Sequence, residues 1–256
     1  MKTLLAILLL VTSLSAQAFF ERKVYGMGST NPEGVVLSAG LAYNYKLWDN
    51  SEKNFWNQGF IRPKASYDTS FLVNTAVGEV QAYPIALVGL TVGTNYAYRG
   101  VRRSNDFNCD IYNCKDELRR EYYRVNLNLG AGDFITSLSY QNERLSPRGS
   151  DIRPSVELTT LLLIPFEQAI QKKYFAFLGY KLSDDLNFGL VEMYNEMSGS
   201  FGTQKSEGQY IAGSMTVDKV KTLIGLGTFG SDYNDKTFSL IVKINWLLDP
   251  SLSLND

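Results

Sequence analysis

GVVLSAGLAYNYKLW, residues 34–48, carries Val35, Leu37, Ala39, Leu41, Tyr43, Tyr45 and Leu47 on its odd positions. Its even positions hold Gly34, Val36, Ser38, Gly40, Ala42, Asn44, Lys46 and Trp48. Successive side chains of a strand point to opposite faces, so the stretch predicts a strand with one apolar face and one small or polar face. Two surroundings suit the apolar face. One is the core of a soluble sandwich or barrel; the other is lipid around a transmembrane barrel whose lumen accepts Asn44 and Lys46.

The pattern recurs along the chain. Val88, Leu90, Val92, Thr94, Tyr96 and Tyr98 alternate with Gly89, Thr91, Gly93, Asn95, Ala97 and Arg99, and Tyr123, Val125, Leu127 and Leu129 alternate with Arg124, Asn126, Asn128 and Gly130. Phe134–Gln141 and Phe238–Leu248 repeat it, with weaker copies at 72–83, 173–182, 186–197, 209–217 and 221–229. A sandwich would clothe its polar faces in Lys, Glu and Thr. Here those faces are Gly, Ala, Ser and Asn with sparse charges, which suits a narrow lumen. Lys46, Asn95, Arg99, Arg124, Asn126, Asn128, Glu143 and Lys243 are therefore expected to line it. Aromatics at strand ends, among them Tyr43, Tyr45, Trp48, Tyr96, Tyr98, Tyr123 and Trp246, suit an interfacial girdle.

Composition narrows the chemistry. The 25 basic and 26 acidic residues of this 256-residue chain nearly cancel, which argues against a nucleic-acid binder working through bulk charge. Histidine is absent, so no Ser-His-Asp triad, histidine base or histidine metal ligand exists. Asp184-Asp185 and Gly130-Ala131-Gly132 fall where tight turns are needed and read as turn residues. No catalytic residue, metal or cofactor is expected, and the chain reads as a non-enzyme.

Residues 1–18 have the form of a cleaved export signal: Lys2, an apolar run from Leu4 to Val11, then Ala16-Gln17-Ala18. Beyond it no apolar run approaches the ~20 residues of a spanning helix; Leu158–Ile164 is stopped by Pro165. Residues 19–33 read as a lead-in, either disordered or tucked into the lumen, 34–248 as the barrel and 249–256 as a tail. Taking 34–48 as the first strand, rising from the periplasm, gives ten antiparallel strands. Short turns then lie at 83–86, 132–133, 183–185 and 218–220, and longer connections around 49–57, 100–119, 146–152, 198–208 and 230–236. The stretches 58–83 and 153–182 are long for one crossing; splitting both gives the alternative of twelve. Each opens on Ile-Arg-Pro, at 61–63 and 152–154, a match too short to establish a repeat.

These alternating strands, with an export signal and no spanning helix, resemble the small outer-membrane β-barrel proteins of Gram-negative bacteria. The resemblance is one of pattern across nearly the whole mature chain, without a family motif. It implies an outer-membrane location, contact with lipid and lipopolysaccharide, and passage through the outer-membrane assembly machinery. Such proteins usually end on an aromatic residue, whereas this chain runs past Trp246 to Asp256. Cys109 and Cys114, close together in one loop of an exported chain, are expected to form a disulfide. The same loop offers Arg102, Arg103, Arg119 and Arg120 at the outer rim, as partners for lipopolysaccharide phosphates or as part of a self-neutralising loop. Two functions remain: a narrow porin-like channel for small solutes, or a closed structural or surface barrel whose outer loops bind lipopolysaccharide or a partner.

Overall fold

The computed structural model describes residues 18–50, 57–102, 107–115, 117–149 and 151–249; the expected signal residues 1–17 and the tail from 250 lie outside them. Alternation dictates the architecture. A strand with one apolar and one polar face must bury one of them, and these strands close on themselves so that the polar face turns inward. In chain order they are β1 (Ala18–Thr30), β2 (Glu33–Asp49), β3 (Gln58–Thr69), β4 (Val73–Ile85), β5 (Val88–Arg99), β6 (Glu117–Ala131) and β7 (Phe134–Arg148). A short pair follows, β8 (Ser155–Glu157) and β9 (Leu162–Ile164). Then come β10 (Ala169–Lys181), β11 (Leu186–Gly199), β12 (Gly202–Val217), β13 (Val220–Ser231) and β14 (Asn234–Leu247).

Twelve of these strands form a closed antiparallel barrel of sequential neighbours, with β10 beside β7 and β14 closing onto β1. The seam pairs Lys23 with Leu247 and Ser29 with Ile241. Below it the Arg22 guanidinium grips the Asp249 carboxylate at 2.9 and 3.1 Å. That grip holds the carboxyl below the usual range.

Twelve wall strands replace the expected ten, and they arise by a different route from the one anticipated. Residues 19–30 are no lead-in: they form β1. Its outward positions include Arg22, Gly26 and Gly28, so its alternation is too weak to show in the sequence. The stretch 58–83 does split, at a turn around Phe71-Leu72 that carries no Gly or Pro and holds Phe71 at φ 63°. The stretch 153–182 contributes one wall strand only, because 155–164 folds elsewhere. The Ile-Arg-Pro triplets share no setting, since the first lies in β3 and the second precedes β8.

This topology also reverses the opening strand. β2 descends from the rim bearing the longest connections, 100–116 and 149–168, to the rim bearing both ends of the wall, so the connection after Asp49 joins the short turns. These are the upper and lower rims. Arg119 and Arg120, expected in a loop, lie within β6.

The outside of the wall is apolar. Leu37, Leu41, Leu90, Val92, Leu138, Leu178, Leu190, Ile211, Ile224 and Ile244 all stand exposed on it. Tyr140, Tyr174 and Tyr194 sit opposite one another on β7, β10 and β11, with ring centroids 5.1 and 5.9 Å apart, and Tyr123 joins the row at 6.2 Å. Towards the upper rim the outward face turns ionic: Lys172 pairs with Glu196 at 3.2 Å, Lys236 with Glu207 at 2.8 Å, and Arg119 with Glu121. Towards the lower rim Phe20 packs on Tyr43 and Phe134 on Tyr180. An apolar band bounded by aromatic rings and then by charge is the signature of a wall in lipid.

Candidate functional site

The connection from β7 to β10 bends into the lumen. Within it β8 and β9 pair antiparallel, Ser155 with Ile164 and Glu157 with Leu162. Val156, Leu161, Leu162 and Ile164 have no exposed surface. They pack against inward residues of the wall, Ala97, Leu118, Leu145, Ala169 and Met197 towards the upper rim on one side and Val191, Tyr210, Ala212 and Phe229, reaching down to mid-wall, on the other. Sequence alternation could not reveal this hairpin, because a segment buried on both faces loses its period-two signal.

Polar ties seat it. Gln204 of β12 accepts from the Leu163 amide at 2.8 Å and donates to the Leu163 carbonyl at 3.0 Å. Arg99 of β5 donates to the Val156 carbonyl at 2.5 Å, and Gln171 of β10 donates to the Thr160 hydroxyl at 2.9 Å. The Cys109–Cys114 disulfide, 5.6 Å between Cα atoms, stiffens the neighbouring loop. From that loop the Asn113 amide donates to the Pro154 carbonyl at 2.8 Å, while Phe107 and Cys114 join the apolar cluster around Val156 and Leu161.

Arg120 departs most from expectation. It points inward from β6 and meets Glu157 at 2.6 Å and Glu143 at 3.7 Å. Even positions of β6 face the lumen, so Arg119 stands outside and Arg120 within. Lys173 of β10 completes the cluster at 2.7 Å from Glu143, and Gln141 donates to Glu143 at 2.7 Å. Burial alone would raise the Glu157 carboxyl, but Arg120, Lys173 and the Thr159 hydrogen bonds outweigh it and hold it down at about 2. Arg102 is exposed near the upper rim, and Arg103 lies outside the described residues.

Below the hairpin the wall is polar. Asn44 donates to Glu21 at 3.1 Å, Arg62 lies 3.3 Å from Glu21 and donates to Gln81 at 2.7 Å, and Gln81 donates to Glu79 at 2.9 Å. Glu79 also accepts from Tyr122 at 2.6 Å and Arg124 at 3.0 Å, with Lys64 at 3.6 Å. The other predicted lumen residues fall as follows. Asn126 and Asn128 are buried on β6, with Ser137 donating to Asn128 at 2.8 Å; Asn95 and Lys243 face inward half-buried. Lys46 reaches Asp49 at 2.7 Å, beside a register shift in β2. Arg62, Glu79, Lys64 and Glu21 were missed because the strands carrying them were merged or unassigned.

No protein-family model matches the chain, and no curated protein matches it. Solved structures similar to it include the β-domain of the Bordetella autotransporter Brka, with TM-score 0.48 and 10% identity over 91% of this chain and 99% of that one. Another is the outer-membrane-expressed OmpT of Vibrio cholerae, with TM-score 0.47 and 10% identity over 92% and 98%. The NanC porin gives TM-score 0.45 and 8% identity over 90% and 100%. These neighbours are outer-membrane β-barrels.

Proposed function

We propose that the protein is a narrow porin-like barrel of the Gram-negative outer membrane, held shut at rest by the β8–β9 hairpin. Short turns mark the periplasmic side and long loops the outer side. One observation carries the reading: the hairpin fills the upper lumen, while the wall beneath is polar and partly open. Phe175, an inward ring of β10, keeps 37% of its surface exposed, and the inward Lys23, Ser214 and Leu223, nearer the lower rim, are also partly exposed. A passage blocked by a loop anchored at both ends has a gate.

Planar-bilayer recordings test this. Wild type is expected to be nearly silent, and a variant with residues 151–166 replaced by a short turn is expected to give stable steps. The wall ladder between β7 and β10 starts at Leu145 and Ala169, so this replacement leaves it intact. Silence from the replaced variant, shown folded by its heat-modifiable gel shift, would refute the channel. The second reading, a closed surface barrel contacting lipopolysaccharide, is supported by exposed Arg102 and outward Arg119 at the outer rim.

A further inference from the structure

We infer that the lumen below the hairpin holds a neutral saccharide against the inward face of β6, β7 and β10; for how the solute arrives, this rests on the porin reading. Two successive rows of inward side chains cross these strands in register. Asn126, Ser139 and Phe175 form the upper row, and Asn128, Ser137 and Phe177 the lower. Each runs from an amide through a hydroxyl to a phenyl ring, so one motif occurs twice at consecutive inward positions, about 6.8 Å apart along a strand.

The two rows carry no formal charge. Immediately above them lie Arg124, Gln141 and Lys173, with Arg124 met by Glu79 at 3.0 Å and Lys173 by Glu143 at 2.7 Å. Immediately below lie Gly130, Ile135 and Gly179.

The recognising groups are open to a solute. Phe175 is exposed to the lumen, and Ser139 beside it is partly exposed. Among the described residues neither the Asn126 amide nor the Ser139 hydroxyl has a side-chain hydrogen-bond partner. In the lower row Ser137 donates to Asn128 at 2.8 Å, so the upper row supplies the open polar groups. A Cβ on Gly189 would stand 2.8 Å from the Phe177 ring and one on Gly179 closer still, so that ring lies flat over both glycines and turns its other face to the lumen.

This set of groups selects its ligand. An amide offers donor and acceptor together and a hydroxyl offers either, which matches the hydroxyl groups of a sugar better than a carboxylate or an ammonium. The negative face of a phenyl ring attracts the polarised C–H bonds that line one side of a sugar ring. Apolar surface with a few convergent polar groups is the usual form of a small-molecule site.

The test reads saturation transfer from protein to the C–H protons of maltose, with adenine as a flat aromatic comparator and the full chain refolded in a deuterated detergent that carries no sugar. Wild type is expected to transfer to maltose, and molar salt to leave the affinity unchanged, because no charge takes part. Phe175→Ala and Ser139→Ala should each weaken binding about three- to tenfold, the worth of one ring contact or one hydrogen bond. Thr136→Ala, on the outer face of β7, should bind as wild type does. Each variant is first shown folded by its heat-modifiable gel shift, and Ser139→Ala carries the test if Phe175→Ala fails to fold. Absent transfer, affinity unchanged in the inward variants, binding abolished by salt, or transfer to adenine in place of maltose would overturn the assignment. Conductance of the hairpin-replaced variant is scored separately: binding without conductance sinks the channel alone, and conductance without binding sinks the saccharide site alone.

Discussion

Arg120→Met isolates the electrostatic latch beneath the hairpin. In wild type Arg120 touches Glu157 at 2.6 Å, and both side chains are almost wholly inside the protein. Lys173 keeps its 2.7 Å contact with Glu143, so the substitution chiefly deprives Glu157 of its ion-pair partner, leaving it the Thr159 amide and hydroxyl. Removing one partner of a buried pair costs about 3–5 kcal/mol. Against this stand Val156, Leu161, Leu162 and Ile164, each contributing about 1.5–3 kcal/mol by burial. Their sum is larger, so the hairpin stays mostly seated, but its unseated fraction rises by about a hundredfold or more. A Leu162→Cys reporter reads this as the rate of maleimide labelling, since Leu162 is inaccessible while the hairpin is seated. Arg120→Met should label about a hundredfold faster, and Arg120→Met/Glu157→Gln should return most of the way, because replacing both charges by neutral groups is nearly neutral. Labelling of Arg120→Met at the wild-type rate, or a double variant faster than the single, would refute the latch.

Acid should act on the same contact. The Glu157 carboxyl sits at about 2 in the seated hairpin against an ordinary 4.5, so its contribution is complete above pH 4.5 and is lost as pH falls from there towards 2. Amide exchange at Val156 and Leu163, corrected for intrinsic rate, should accelerate across that window and stay flat between pH 5 and 7. Cys109→Ser/Cys114→Ser opens a six-residue loop worth about 2 kcal/mol in the chain-entropy estimate. Because Phe107 and Cys114 pack beside Val156, Leu162→Cys labelling should rise while the heat-modifiable gel shift persists; an unchanged labelling rate would uncouple that loop from the hairpin. Gly227→Ala would place a Cβ 1.8 Å from the Gln209 carbonyl oxygen and 2.7 Å from the Tyr210 Cα, which backbone cannot yield. It should cost about 1–3 kcal/mol or more and lower the thermal midpoint of the gel shift. Gly78→Ala, on the outer face with no atom within 4 Å, should leave that midpoint unchanged, and equal behaviour of the two would contradict the packing.

What the sequence disclosed follows the strength of its alternation. β2, β5, β6 and β7 were legible because a lipid-facing row of Leu, Val and Tyr opposes a row of Gly, Asn and Ser. β1 was not, because its outward Arg22 is tied at the seam and Gly26 and Gly28 carry no apolar signal. The β3–β4 turn was invisible because Phe71 and Leu72 occupy a position where turn chemistry normally advertises itself. Lumen parity carried Asn95, Arg99, Arg124 and Glu143 inward as soon as their strands were placed. Arg120 failed the same test only because β6 begins at Glu117, earlier than a loop rich in charge suggested. The hairpin had no legible signal at all: it is covered by inward residues of seven wall strands, β5 to β7 and β10 to β13.

The seam between β1 and β14 also sets an order in time. These strands are the first and last of the wall, so each presents a row of unsatisfied amides and carbonyls until the other arrives. Hydrocarbon tolerates no such edge. Nor does it tolerate Glu21 and Arg62 before a wall surrounds them. An opened sheet of this composition has no stable residence inside a bilayer, so ring closure and entry into the membrane must be one concerted event, completed only once the C-terminal strand has been delivered.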